Sequence, residues 1–377
     1  MDLDELFAKL KALTDIPGTS GYEHEVIRYL REQMQPLADR VEVDALGNVY
    51  GIVEGRTPDF RVICPAHSDA VGLFVKHVES NGTVRIGGVG ATPAYNSYGQ
   101  RVVIHAPGKD LLGVVGTWPG HMGFDGACHV PSSHDQLFVD VGAESAAEAL
   151  AMSVCPGQQV TFDRPLAFLG DPAKGYVTGR ALDNRTGCLV LVEALRALRE
   201  SNAAVEPTIY LVACSQEEVG LRGAIVAGDY VQPHVCIGVD GTISAAGSAG
   251  SGDPGSVARA ACPTVLGGGV GISYYDMSQT RARGLIANPK LNKLLVDLAE
   301  RHGITYQYEG YIQYVTSDAG AIQFAGRGGC PSTTLKIPTR YTHGPVETCH
   351  LGDIHNTIRL MTEALRAISA DVDLRFP

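Results

Sequence analysis

The chain has 377 residues and a formal net charge of −11 at neutral pH, a length that points to two domains and a charge that argues against a general nucleic-acid-binding surface. With 45% hydrophobic and 19% charged residues it has ample material for a core, and no run of 18 or more apolar residues is present to span a bilayer. Nine cysteines, with no C-x-x-C pair among them, speak against a disulfide framework or a cysteine-rich metal site; Cys64, Cys188, Cys214 and Cys236 lie in apolar runs, where cysteine acts as a small buried hydrophobe.

The opening Met1-Asp2-Leu3-Asp4-Glu5 is acidic and lacks the basic and apolar regions of a secretory leader, so a cytoplasmic protein is expected. Leu3, Leu6, Phe7, Leu10 and Leu13 recur at helical spacing and predict an amphipathic helix. Thr19-Ser20-Gly21-Tyr22-Glu23 offers cap residues for a second helix reaching Gln35. Residues 41–53 read as two strands around Ala45-Leu46-Gly47-Asn48. Residues 60–64 form a buried strand that runs into Pro65-Ala66-His67-Ser68-Asp69.

From 70 to 165 the texture changes to short strands separated by turn signals. Asn81-Gly82 and Pro107-Gly108 mark hairpins, residues 138–141 and 160–162 add strands, and one short helix is expected near 145–152. This pattern predicts a β-rich module inserted into an α/β domain. The glycine-rich, aperiodic stretch 117–134 reads as a mobile loop.

The α/β pattern then resumes. Cys188, Leu191, Val192, Leu195 and Leu198 form a helical stripe directly after Ala181-Leu182-Asp183-Asn184-Arg185. The apolar run 208–214 lacks period-2 alternation, so it reads as a strand buried on both faces of a largely parallel sheet, and it ends in Ser215-Gln216-Glu217-Glu218-Val219-Gly220. A strand over 235–239 ends in Asp240-Gly241. Residues 291–301 are helical, 333–337 form a strand leading to His343, and Ile354, Ile358, Met361, Leu365 and Ile368 mark a last amphipathic helix. The expected fold is α/β: a mostly parallel mixed sheet flanked by helices, built from 1–69 and 166–377, with 70–165 as an inserted barrel-like β-rich domain.

Metal-competent side chains recur where apolar strands end: His67, Asp69, Asp183, Glu217, Glu218, Asp240 and His343. Open α/β sheets place their chemistry at such ends. Imidazoles and carboxylates without thiolates suit zinc, cobalt or manganese, and this many on one sheet edge is the composition of a two-metal site. His67 and Asp69, spaced i and i+2, lean the same way in extended chain, so Asp69 is expected to accept the free ring N–H of His67. Asp183, at a strand-to-helix junction, is placed to bridge two ions roughly 3.5–4 Å apart. Glu217 and Glu218 then divide as proton acceptor and ligand.

His67-Ser68-Asp69-Ala70-Val71-Gly72, Ala181-Leu182-Asp183-Asn184-Arg185, Gln216-Glu217-Glu218-Val219-Gly220 and Val239-Asp240 resemble the tetrahedral aminopeptidases, the family of glutamyl and deblocking aminopeptidases within the dizinc exopeptidase clan. Asn288-Pro289-Lys290-Leu291, Asp276-Met277-Ser278, Ser317-Asp318-Ala319-Gly320-Ala321 and Ile337-Pro338-Thr339-Arg340-Tyr341-Thr342-His343-Gly344-Pro345 extend the resemblance over nearly the whole chain. It implies that His67 and Asp240 bind one divalent metal, Glu218 and His343 the other, and that Asp183 bridges them. Glu217 would be the general base and Asp69 the partner of His67.

The resemblance also implies zinc as the favoured metal, with cobalt or manganese as substitutes, peptide substrates, dimerisation through 70–165, assembly into a dodecamer, and a cis peptide after Asp183. Asn184 stands where many relatives have Asp. A metal-dependent carboxypeptidase or deacylase of the same clan is the nearest rival, and a non-catalytic scaffold on this fold is another. An endoglucanase would need two free carboxylates flanking a sugar bond, roughly 5–9.5 Å apart, whereas here most of the acids are expected to serve metals. His105, His121, His129 and His134 are read as surface or interface residues, with His129 as a candidate to reach a neighbouring subunit's site. Arg259 and Arg283 are candidates for reading substrate charge.

Overall fold

The computed structural model describes residues 2–117, 130–202, 204–244, 264–277, 284–311 and 316–375. Helix α1 (Leu3–Thr14) is capped by Asp2, whose carboxylate accepts the Glu5 N–H, and buries Leu6, Leu10 and Leu13. Helix α2 (His24–Met34) buries Val26, Leu30 and Met34, the same i, i+4 stripe. The residues read as its cap do other work. Thr19 hydrogen-bonds Gln159, Ser20 Oγ donates to Asp69 at 2.6 Å, and no side chain caps α2.

Strands β1 (Arg40–Val43) and β2 (Val49–Val53) form the expected hairpin, followed by β3 (Thr57–His67). The chain then leaves this sheet. Strands β4 (Gly72–Val78), β5 (Val84–Val89), β6 (Arg101–Ala106), β7 (Lys109–Val115), β8 (Phe138–Asp140) and β9 (Gln159–Phe162) close into an antiparallel barrel in the order β4-β5-β8-β7-β6-β9. Short helices α3 (Ala94–Ser97) and α4 (Ala146–Ala151) lie along this stretch. Leu73, Val75, Val84, Ile86, Val102, Ile104, Val139 and Val160 fill its interior, the inward positions that alternate along each strand.

After β10 (Ala167–Phe168) and β11 (Tyr176–Gly179), helix α5 (Leu182–Ser201) leads to β12 (Pro207–Cys214), α6 (Arg222–Val231) and β13 (Val235–Ile243). Then follow β14 (Val270–Met277), β15 (Gly284–Ile286), α7 (Pro289–Arg301), β16 (Tyr306–Tyr311), α8 (Asp318–Ile322), β17 (Ser332–Thr339), β18 (Glu347–His350) and α9 (Leu351–Ala367). The main sheet runs β1-β2-β12-β3-β13-β17-β14-β15, with β16 on β14; β12, β3, β13 and β17 are parallel to their neighbours in that order. A second, small sheet is β10-β11-β18.

The lack of alternation in β12 has its cause in two cores. Ile209, Leu211 and Ala213 pack with α1, α2, α5, α7 and α9 on one face, while Val212 and Cys214 pack with α6 and α8 on the other. Both faces are apolar, as helices on each side require.

Three strands outlast their hydrophobic runs. β3 continues through Pro65 to His67, which pairs with Cys214; β13 continues to Ile243, so Asp240 lies inside the strand and not at its end; β17 continues to Thr339. Backbone pairing with a parallel neighbour holds these polar extensions, a feature absent from side-chain periodicity.

The β1–β2 hairpin is tied to the Glu217 loop by one fully buried side chain. Asn48 Oδ1 accepts the Ser215 N–H at 2.9 Å, and its amide donates to Asp44 at 2.6 Å and to the Gly223 carbonyl at 3.1 Å. Asn48→Ala leaves buried partners unpaired, each costing about 1–3 kcal/mol. The expected outcome is a destabilisation of about 2–4 kcal/mol in denaturant titration, whereas an unchanged midpoint would show that water replaces these bonds.

Candidate metal centre

The ends of β3 and β12 lie side by side, and the loops leaving them are locked together by Asp69. Its fully buried carboxylate accepts the Glu217 N–H at 2.9 Å, the Glu218 N–H at 3.2 Å and the Ser20 hydroxyl at 2.6 Å. Glu23, also buried, accepts the Gln216 N–H at 3.0 Å. Gln216 and Leu221 hold positive φ, 54° and 58°, an uncommon backbone for residues other than glycine. It turns the two glutamates into the cleft.

His67 Nε2 is 3.3 Å from Asp183 Oδ1, 3.5 Å from Asp240 Oδ1 and 3.9 Å from Glu217 Oε2. His343 Nε2 is 3.7 Å from Asp183 Oδ2 and 3.3 Å from Glu218 Oε2. The two oxygens of Asp183 thus face different imidazoles. Three ligand-like groups result: His67–Asp183–Asp240 and Asp183–Glu218–His343, which share the Asp183 carboxylate, and His67–Glu217–Glu218.

Asp183 approaches β13 over Gly241, where a Cβ would meet Asp183 Oδ1 at 3.1 Å. Asp183 and Asn184 are joined by a cis peptide, as the sequence resemblance implied. The Asn184 amide donates to the Val239 carbonyl at 2.8 Å and its oxygen accepts the Gly187 N–H at 3.0 Å. An aspartate carboxylate there could not donate the first of these.

One expectation is refined. His67 Nδ1 lies 3.1 Å from the backbone carbonyl of Asp69 and 3.6 Å from its carboxylate. A carbonyl only accepts, so Nδ1 carries the proton and Nε2 offers its lone pair to the cleft. The Asp69 carboxylate serves the backbone of the glutamate loop.

The electrostatics suit cations. Burial pulls the His67 imidazole down, but the carboxylates of Glu217, Asp183, Asp240 and Asp69 outweigh it and hold it well above the ordinary histidine range. Burial pushes Glu217 well above the usual carboxyl range, despite His67, and lifts Glu218 to about 7, with His343 opposing and Asp183 adding. Asp183 Oδ1 and Glu218 Oε1 are buried without hydrogen-bond partners, a costly state for a carboxylate oxygen unless an ion takes it up. Ligand atoms about 2.0–2.2 Å from a tetrahedral zinc lie about 3.3–3.6 Å apart, close to the separations within the two groups that share Asp183. The residues present fit divalent metals.

Two buried charges beside the centre escaped sequence reading. Glu347 accepts the N–H groups of Asp183 and His343 at 3.0 and 3.1 Å. Lys336, fully buried, pairs with Asp276 at 2.9 Å, without the alignment of a hydrogen bond, and stands 3.5 Å from Asp240 Oδ2. A lysine interrupting the apolar run of β17 was the available signal; Glu347 had none beyond its place between Val346 and Cys349.

His105 bonds Asp110 and Thr161 on the barrel, and His134 packs against Gly88, neither with the cluster. His121, His129, Ser278, Arg259, Arg283 and most of the 117–134 stretch lie outside the described residues.

Comparison with known proteins agrees with this geometry. The sequence signature of the M42 glutamyl aminopeptidases matches residues 47–360. The lysyl aminopeptidase of Pyrococcus furiosus is 32% identical over 363 residues, covering 95% of this chain and 96% of that protein. The solved aminopeptidase of Desulfurococcus kamchatkensis superposes with a TM-score of 0.88 at 32% identity, over 98% of each chain. The TET1 peptidase of Pyrococcus horikoshii, described as able to assemble into a tetrahedron or a large octahedral shell, superposes with a TM-score of 0.81 at 28% identity, over 96% of this chain and 100% of that one.

The raised groups make a pH prediction. Glu217, Glu218 and Glu347 (to about 8, by burial and the nearby Asp183) and both imidazoles, His67 and His343, are shifted up. Each contributes stability present below its unfolded pKa and lost as pH climbs through the folded one. Asp69 and Asp183 are shifted down, so their contribution is lost only in acid. Chelator-treated protein should therefore show a melting temperature that falls from about pH 5 to about pH 8, with the slope abolished by saturating zinc. Parallel profiles with and without metal would contradict the cluster's charge assignment.

Proposed function

The chain belongs to the M42 glutamyl aminopeptidase family and is a peptide-bond hydrolase, and from that premise we propose a co-catalytic, dinuclear metal aminopeptidase that removes N-terminal residues from peptides. The observation that carries this reading is the position of Asp183, with Oδ1 toward His67 and Oδ2 toward His343. His67 and Asp240 would hold one ion and Glu218 and His343 the other, with the Asp183 carboxylate shared between them. The donor set favours zinc, and cobalt or manganese are compatible.

Divalent ions held there would supply a water whose pKa is lowered toward about 7 and an electrophile for the scissile carbonyl. Glu217 reaches into the cleft near His67 Nε2 and takes the water proton, then returns it to the leaving amine. Its approach is set by Asp69, which holds the backbone of both glutamates. The surplus of carboxylates attracts the substrate's free α-ammonium, which restricts cleavage to chain ends.

The preferred first residue differs among relatives, as the glutamyl name of the family and the lysyl relative attest. Self-association through 70–165 into dimers, and of dimers into a dodecamer, is part of the proposal. It is supported by the assembly described for the TET1 peptidase and by Leu112 and Val114, which stand 57% and 46% exposed on the barrel. No helix among the described residues is long and apolar enough to cross a membrane; a cytoplasmic site of action completes the reading.

Glu217→Gln tests the assignment of the base. The variant should bind two zinc ions per chain yet lose about 10²–10⁴-fold in kcat on an amino-acid anilide; wild-type turnover would refute the assignment. Chelation should abolish activity and zinc, cobalt or manganese restore it. The N-acylated anilide should resist cleavage by the wild-type enzyme, and its hydrolysis would favour a deacylase instead.

A further inference from the structure

Asp183 and His343 reach the centre from segments with no regular structure of their own. Asp183 follows Ala181, at φ 58°, and has non-helical backbone at the head of α5. His343, at φ 61°, sits in the turn between β17 and β18, next to Tyr341 at φ 62°. The two residues are far apart in sequence, and one side chain touches both backbones. Glu347 Oε2 accepts the Asp183 N–H at 3.0 Å and Oε1 accepts the His343 N–H at 3.1 Å.

Glu347 is well placed to hold them. It lies 2% exposed on β18, in register with Gly179 at the end of β11, a short way before Asp183. The Thr178 hydroxyl donates to the Glu347 carbonyl at 2.8 Å. The small sheet therefore carries both the approach to Asp183 and the acceptor that fixes it, while the same carboxylate clamps the turn bearing His343.

We propose that Glu347 is a positioning residue whose carboxylate sets the distance between the bridging aspartate and the outer histidine, and with it the affinity for the second ion. This rests on the dinuclear reading above. The first ion's remaining ligands, His67 and Asp240, stand on β3 and β13 and do not depend on Glu347. A carboxylate offers an acceptor to each N–H, whereas an amide offers one oxygen and sets an NH₂ against the other donor. Glu347→Gln thus removes one arm of the clamp at nearly constant volume.

The test is zinc titration of chelator-stripped protein by calorimetry, with metal content counted per chain. Wild-type protein should bind two ions. Glu347→Gln should keep the tighter one and lose about 10–100-fold in affinity for the other, the range for residues that orient a ligand, with the metal-free chain still unfolding cooperatively. A merely structural role would weaken both ions alike. Two ions bound with wild-type affinities by Glu347→Gln would overturn the proposal and leave the dinuclear reading intact; a wild-type chain that binds fewer than two would overturn both. Should Glu347→Gln not fold, residue-resolved hydrogen exchange on the metal-free wild type decides. The His343 amide should be protected, and exchange at the rate of an open turn would reject the clamp.

Discussion

Negative charge forced into a buried cleft is the constraint on which this structure turns. Asp69, Asp183, Glu217, Glu218 and Asp240 crowd around two imidazoles, and the exposure of the acids is low throughout. Like charges at such range cannot all stay ionised in a medium of reduced dielectric. The fold meets this in three ways. Backbone N–H groups bind the carboxylates of Asp69 and Glu347, the ammonium of Lys336 stands behind Asp240, and the oxygens of Asp183 and Glu218 left without partners are suited to cations.

The sheet supplies rigidity and the loops supply aim. β3 is paired with β12 as far as His67 and β13 with β17 past Asp240, and the sheet is sealed on both faces, so His67 and Asp240 stand on hydrogen-bonded framework. Ala181, Gln216, Leu221, Tyr341 and His343, all at positive φ, flank the junctions that carry Asp183, the glutamate pair and the outer histidine. Such conformations cost of order 1–3 kcal/mol each and persist only when surrounding contacts hold them. Asn48, Asp69, Glu23 and Glu347 are those contacts, each binding backbone N–H groups of the loops.

Much of this was legible in the sequence because it is written in periodicity. The apolar runs of β12 and β13, the helical stripes of α1, α5 and α9, and the Asn81-Gly82 and Pro107-Gly108 turns of the barrel each mark an element by local pattern. The metal-competent residues were legible because they punctuate those runs. What was missed is what periodicity does not encode. Pairing carried β3 to His67 and placed Asp240 within β13. Ser20 gave its hydroxyl to Asp69 and not to the head of α2. The His67 ring N–H met a carbonyl where a carboxylate was expected. The small sheet β10-β11-β18, and Glu347 on it, arise from contacts between segments far apart in sequence, and no local pattern announced them.

Anomalous diffraction from crystals grown with zinc is the most direct measurement of the central claim. Two peaks are predicted, about 3.5–4 Å apart, one bounded by His67, Asp183 and Asp240 and the other by Asp183, Glu218 and His343. A single peak, or ions bound elsewhere with Asp183 turned away from both imidazoles, would contradict it.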